Sequence, residues 1–529
     1  MRGAWILPLA ASLVGVAHGL ARAQQNPPIP LPEKIIAAWQ KAGADAGWIG
    51  ADKLGAWPGF RRDGGNGGDL PAFEFRAWQP GLLDGLPQPE RGFGVSLGYT
   101  GVTDTGLREF AGLKFLRALD LRKTNVTDAG LRELAKLNSL QRLVLFKTKV
   151  TDAGLAELAE LESLRTLNLY STQVTDAGMK KLAVLNSLQE LDLGFTKVTD
   201  GGLKELAGLK SLQSLSLTAT KVTDAGLKQL VGLDSLLTLG LHGTEVTDAG
   251  LKDLARLKSL QTLNLNYTAV TANGLKELAG LDSLRSLELS GTYLTDIWLK
   301  ELTALKSLET LDLGATKVTD AGLKDLAQLR SLRTLQLRKT KVTDIGLKQL
   351  AEIRTLDTLD ISETKVTDAG LRALAGLKSL KVLDLTGTQV TDAGLKELAG
   401  LKSLHKLHLS AARVSDAGLK ELAGLKSLHL LDLSATRVSD AGLKELAGLK
   451  SLQFLDLSAT RVSDAGLKEL VGLESLQMLY LISTQVTNDG LKELAGLKSL
   501  QMINLMNTQV TDAGVAELKK SLPGARIFN

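Results

Sequence analysis

From Val102 to Val510 the apolar positions of the chain recur with a fixed period of 24 residues. The anchor valine returns at Val126, Val150, Val174 and onward, eighteen occurrences in all, with Leu294 the one substitute. Counting the anchor as position 1, apolar residues fill positions 6, 9, 12, 15, 18 and 20. Positions 18 and 20 alternate with polar neighbours, as in Leu119-Asp120-Leu121, which predicts a short strand with inward-pointing leucines. Positions 3 to 10, as in Asp128 to Ala135, carry helical spacing. Thr127 or Asp128 is placed to cap the first amides, and an acid there suits the helix dipole. Gly at position 11 is placed to end the helix in a left-handed turn. A unit of one strand and one helix buries its apolar face only against copies of itself, so the pattern predicts a solenoid.

The string L-x-x-L-x-L-x-x-T-x-V, seen from Leu260 to Val270, resembles the leucine-rich repeat, with Thr in place of the usual Asn. The following TDAGLKELA is similar to the helical half of ribonuclease-inhibitor-like and F-box-associated repeats. The array as a whole resembles the long repeat arrays of exported bacterial proteins, planctomycete ones among them. The resemblance covers residues 94–529. It implies an α/β fold: a right-handed leucine-rich-repeat solenoid with a curved parallel sheet of about 19 short strands inside, helices outside and a small N-terminal cap. Such a scaffold hosts many unrelated interactions, so the resemblance is informative about fold and weakly so about function.

Two further positions are nearly invariant along the array. Position 23 is Thr from Thr100 to Thr508, broken only at Ala412; a buried hydroxyl needs partners, expected among backbone groups of the adjoining coil. Position 5 is Gly except at Trp298, where a local bulge or surface knob is expected. At the ends, Gly94 to Tyr99 matches the strand positions, and Arg526-Ile527-Phe528 is expected to close the sheet.

The N-terminus differs in character. Arg2, the apolar run Ala4 to Ala17 and Ala21-Arg22-Ala23 fit a secretory signal peptide spanning 1–23. Residues 24–93 form a linker and a Trp-rich segment with Trp39, Trp48, Trp57 and Trp78. That segment reads as a cap on the first repeat, or alternatively as a small ligand-binding module. The stretch after Leu31 reads as a helix with Ile35 and Trp39 on one face. The chain has no cysteine, which excludes disulfide staples and anchoring through an acylated Cys. Export without disulfides suits a periplasm, cell envelope or bacterial exterior. After signal cleavage no segment would span a membrane. The formal charge is only +5 over 529 residues, with both signs interspersed, so nucleic-acid binding gains no support.

On each strand, positions 17, 19, 21 and 22 are expected to face the concave surface. Position 19 is acidic at Asp120, Asp192, Glu288, Asp312, Asp360, Asp384, Asp432 and Asp456, and reads as a solvated strand face or as a stripe for basic ligands. Near the N-terminal end Arg122, Lys123, Arg142 and Lys147 interleave with Phe146, Tyr170 and Phe195. Near the other end the face turns apolar, with Leu430, Phe454, Met478, Tyr480 and Met502. Exposed aromatics beside Arg, and contiguous apolar patches, are favoured partner-binding features. His405, His408 and His429 cluster in two adjacent repeats, but nothing in the spacing fixes a metal geometry. No phosphate loop, nucleophile elbow or H-E-x-x-H string is present, so neither catalysis nor a cofactor is expected. The expectation is an exported, non-catalytic scaffold binding a protein or an envelope polymer. A ubiquitin-ligase recognition subunit and a structural spacer or adhesin are the alternatives. Leu31-Pro32-Glu33 weakly resembles an F-box opening.

Overall fold

Each repeat sends seven apolar side chains into the core, Val126, Leu131, Leu134, Leu137, Leu140, Leu143 and Leu145 in one case, none more than 3% exposed. At about 2 kcal/mol for each fully buried aliphatic side chain, this is the main favourable contribution, and it exists only when neighbouring repeats are stacked. The structure, a computed structural model, describes residues 28–50, 59–62, 64–66 and 68–529. The expected signal peptide and Trp57 lie outside the described residues. The chain divides into two compact units, Met1–Leu287 and Glu288–Asn529.

In the first unit, α1 (Glu33–Lys41) leads into β1 (Ala44–Ile49), which pairs antiparallel with β2 (Phe60–Arg61) and β3 (Leu70–Phe75). The third strand then pairs in parallel with β4 (Phe93–Ser96), and β4 with β5 (Leu116–Asp120). From β5 onward the strands are parallel and paired at the repeat period, Ala118 with Arg142 and Leu119 with Leu143, and so on to Thr238 with Thr262. Trp39 is fully buried, stacked on Phe73 at 4.3 Å and edge-on to Phe93 at 5.8 Å. Its indole N–H donates to the Pro87 carbonyl at 2.9 Å. Trp78 stacks on Phe110 of the first repeat at 6.0 Å, in space that a side chain at Gly106 would occupy.

In the second unit the parallel ladder runs from Thr310–Asp312 to Met502–Asn504. The last strand, Arg526–Phe528, pairs beside Met502–Asn504 and extends the sheet, as expected. From Phe93–Ser96 to Arg526–Phe528 the described residues contain 19 strands, alternating with helices such as Asp368–Leu374.

The string Thr-Asp-x-Gly has a physical explanation that its helix-capping role only half covers. Thr127 does cap its helix, accepting from the Ala129 amide at 3.3 Å. Asp128 instead reaches the next repeat: Oδ1 accepts from the Thr151 backbone amide at 2.8 Å and Oδ2 from the Thr151 hydroxyl at 2.6 Å. The same two-pronged bond joins Asp152 to Thr175 and Asp344 to Thr367. A Cβ on Gly154 would sit 2.5 Å from Asp128 Oδ1. The glycine is therefore where the preceding repeat's carboxylate must pass. The sequence bears this out: the array has one Ala at the acid position, Ala272, and in the following repeat the glycine position carries Trp298. As expected, Trp298 marks an irregularity, a 3-10 turn at Asp296–Trp298 in place of the regular helix start, with Ile297 exposed.

Two expectations are corrected. Gly at position 11 is not left-handed; helices leave through right-handed residues such as Ala135, with φ −55°. In several repeats it lies beside a lysine of the preceding one. Lys210 Nζ donates to the Gly232 carbonyl of the next repeat at 2.9 Å, and Lys426 to Gly448 at 3.0 Å, completing a helix end. The left-handed residue is at position 22, just after the strand, where Lys123, Phe195, Ala435 and their counterparts have φ of 51° to 69°. There the amide must point at the next repeat's carbonyl, as Lys123 N–H does to Phe146 O at 2.7 Å. The threonine ladder fixes this turn as expected, but within its own coil: Thr124 Oγ1 donates to Leu121 O at 2.7 Å, and Thr148 to Leu145 O likewise.

These contacts predict a non-additive pair. Asp368 bonds the Thr391 amide at 2.7 Å and its hydroxyl at 2.6 Å, and passes where a Cβ on Gly394 would be. Asp368→Ala should cost about 2 kcal/mol, as loss of charge-assisted bonds does, and Gly394→Ala alone a similar amount through the clash. In the Asp368→Ala background, Gly394→Ala should become neutral or stabilising by up to about 1 kcal/mol, since Ala is the better helix former. Urea denaturation of the four proteins reads this directly; strict additivity would mean the glycine is kept for another reason.

Candidate functional site

The outward side of each strand is crowded, because neighbouring strands stand only about 4.8 Å apart. Position 19, expected to be solvated, is largely buried: Asp120 is 5% exposed, Asp360 6% and Asp384 8%. Its carboxylates serve the backbone. The position-21 amide lies between two amides that bond the next strand, and it turns instead to the side chain two residues back. Gly194 N–H donates to Asp192 Oδ1 at 2.9 Å, Thr386 to Asp384 at 2.8 Å and Ser434 to Asp432 at 2.9 Å. Asn168 does the same for Tyr170 at 2.8 Å. The acidic row is thus mainly a set of turn acceptors in the pattern of an Asx turn, which the repeat period alone does not reveal.

The first unit gathers most of its predicted residues. Phe146 and Tyr170 lie with ring centroids 5.1 Å apart, and Tyr170 and Phe195 also 5.1 Å apart. Lys147 Nζ sits 5.4 Å from the Phe146 centroid, and Lys123 Nζ 4.7 Å from that of Tyr99. Tyr99 was not among the sequence candidates, although it shares position 22 with Lys123. Arg122 is turned inward, its Nε 2.7 Å from Asp120 Oδ2. Arg142 stands apart from the rings at the first residue of its strand. Burial lowers its guanidinium pKa, opposed by the Glu190 charge.

In the second unit Leu430, Phe454, Met478 and Met502 are paired in one row across four adjacent strands. Phe454 meets Tyr480 edge-on at 5.2 Å, and the Tyr480 hydroxyl approaches Met502 Sδ at 3.5 Å. All five are half-exposed, and the closing strand lies beside Met502–Asn504 in the sheet, leaving the row's face open. His405 and His429 stack at 5.1 Å, each Nδ1 bonded to a backbone carbonyl, that of Ser403 or Ser427. His408 faces elsewhere, 3.8 Å from Asp432. Among the described residues no three His, Asp or Glu side chains are grouped to hold a metal ion, and no helix is long and apolar enough to cross a membrane.

Family profiles agree with this geometry. A leucine-rich repeat region profile matches residues 96–296, and two further leucine-rich repeat profiles match 304–327 and the overlapping stretches 330–390 and 354–414. The chain is a leucine-rich-repeat protein. No curated protein is significantly similar to it. Solved leucine-rich-repeat structures similar to it include an internalin from Listeria monocytogenes, at 27% identity over 57% of this chain and 83% of that one, with a TM-score of 0.45. A leucine-rich-repeat protein of Leptospira interrogans is 25% identical over 83% of this chain and 96% of that one, with a TM-score of 0.40. The Arabidopsis receptor kinase HAESA ectodomain, solved with a peptide hormone ligand, is 17% identical over 86% and 84%, with a TM-score of 0.40.

The buried carboxylates give this leucine-rich-repeat face a pH response. Burial pushes Asp456 up to about 6, with the Asp432 charge adding and the Ser458 bonds opposing. Asp312 is likewise pushed up to about 6 by burial. Burial also raises Asp360, and Asp384 on the next strand adds to it. Asp432 goes the other way: burial would raise it, but His408 and Ser434 hold it below the usual carboxylate range. A carboxyl whose folded pKa exceeds its unfolded value binds its proton more tightly when folded. Its contribution to stability is full below about pH 4 and is lost as pH rises through about 6. Asp456→Asn keeps an acceptor for the Ser458 amide and removes the ionisation. It should stabilise the protein by about 1–3 kcal/mol at pH 7.5 and change little at pH 4. Thermal melts at the two pH values check this; equal effects at both would refute the desolvation account.

Proposed function

We propose that this is a non-catalytic, exported scaffold that binds a protein partner through the face of its parallel sheet, anchored by the apolar row of the second unit. The observation that carries the reading is the break in repeat chemistry at position 17. Thr310, Thr334 and Thr358 give way to Leu430, Phe454, Met478 and Met502. These apolar side chains stand half-exposed on a face whose core needs none of them, and such patches mark interaction surfaces. Phe454 and Tyr480, packed edge to face, are the kind of aromatic anchor that dominates interface energetics. Export rests on the sequence of residues 1–23, and an envelope or extracellular location follows from it. Residues 24–93 act as the N-terminal cap, a reading supported by the burial of Trp39 and by Trp78 against Phe110.

Proximity labelling of the exported protein in its native cell tests the proposal. A small, specific set of labelled proteins is expected. Phe454→Ala should abolish that labelling, and a labelled partner, once purified, should bind the variant about 30-fold more weakly. Diffuse labelling of abundant neighbours, unchanged by Phe454→Ala, would point to a structural spacer and overturn it.

A further inference from the structure

The rings and ammonium groups of the first unit form a second surface, far along the sequence from the apolar row and chemically unlike it. Four rings, Tyr99, Phe146, Tyr170 and Phe195, lie where successive strands turn. Tyr99 is 66% and Phe195 54% exposed. Lys123 Nζ stands 4.7 Å from the Tyr99 centroid and 5.9 Å from that of Phe146, and Lys147 Nζ 5.4 Å from Phe146. Among the described residues neither ammonium has a carboxylate in an ion pair, whereas the Asp120 charge beneath them is matched by Arg122 at 2.7 Å. The exposed charge of this patch is therefore positive.

The choice of residue at the left-handed turn supports a role for these side chains. Tyr99, Lys123, Lys147 and Phe195 all have φ between 51° and 64°, a region that disfavours any residue with a Cβ. In the second unit the same position holds mostly small residues, Ala315, Gly387, Ala411, Ala435 and Ala459 among them. The left-handed turn is common to the repeats, so what sets the first unit apart is the size and charge of the groups it carries there.

Spacing selects the ligand. Aromatic groups recur about once per repeat, with ring centroids 5.1 Å apart. An extended peptide advances about 3.3 Å per residue with alternating faces, and so loses register with the rings within two or three residues. A sugar unit in an extended 1→4-linked chain advances by close to one strand spacing. Its C–H faces suit aromatic rings, and a uronate carboxylate suits an ammonium group. We propose that the Tyr99–Phe195 surface binds a linear polysaccharide carrying carboxylates, one sugar per repeat, with the rings stacking on sugar units and Lys123 and Lys147 taking the carboxylates.

Binding of the full exported chain to polygalacturonate, to its fully methyl-esterified form and to poly-L-glutamate tests this without any protein partner. Polygalacturonate should bind at least about tenfold more tightly than either control. Lys123→Gln with Lys147→Gln, two exposed side chains that make no ion pair among the described residues, should weaken binding about tenfold and flatten its salt dependence. Phe195→Ala should weaken binding and leave the salt dependence unchanged. Phe454→Ala should have no effect, so failure here is distinguishable from failure of the protein-binding proposal. Equal or tighter binding of poly-L-glutamate, or binding indifferent to the Lys and Phe195 changes, would overturn the assignment.

Discussion

The carboxylate that leaves one helix start and clamps the next is the contact on which the rest of this fold depends. Hydrophobic burial supplies most of the stabilisation, but it is non-directional and would tolerate repeats that slide or rotate against one another. The bond from Asp128 to both the amide and the hydroxyl of Thr151 does not. It fixes one helix start against the next, and the glycine beside it keeps that path clear. On the other side of each coil, the ladder of amides and the threonine bond after each strand fix the sheet. Held at both edges, the leucines between them have one way to pack.

Because the scaffold is so regular, its departures carry the functional information. The sheet face is not a blank solvated surface: its Asp and Asn side chains at position 19 satisfy the backbone of their own turn. What remains to meet a partner is what the turns do not use. In the first unit that is a row of rings with two uncommitted ammonium groups, and in the second a row of Leu, Phe and Met. The two surfaces differ in chemistry, and the two proposals assign them different ligands.

The fold was legible in the sequence because the periods that specify it are local. Strand leucines alternate, helix leucines recur at three residues, and a fixed period places every copy in register. The closing strand at Arg526 and the irregularity at Trp298 followed from the same pattern. What was not legible depends on contacts between repeats. Gly at position 11 looked like a left-handed cap, yet it is not left-handed, and in several repeats its carbonyl meets a lysine of the preceding one. The left-handed position was hidden because Lys, Phe, Ala and Ser occupy it more often than Gly. The acidic row looked solvated because sequence shows which way a side chain points and not how closely its neighbours stand. Arg122 and Arg142 were grouped with the rings by composition. In the structure one is matched by Asp120, and the other stands at the far end of its strand.

The clamp joins unlike residues of adjacent repeats but the same two positions in nearly every repeat. If the 24 residues 415–438 were lost, Asp392 would face Ser439 where it now faces Ser415, and Gly442 would stand where Gly418 does. No contact would need new chemistry. Between residues 390 and 470, where the copies are nearly identical, unequal exchange in the gene would therefore yield longer or shorter proteins that still close. The length of the array, and with it the reach of its binding face, is a trait that inheritance can adjust in whole steps.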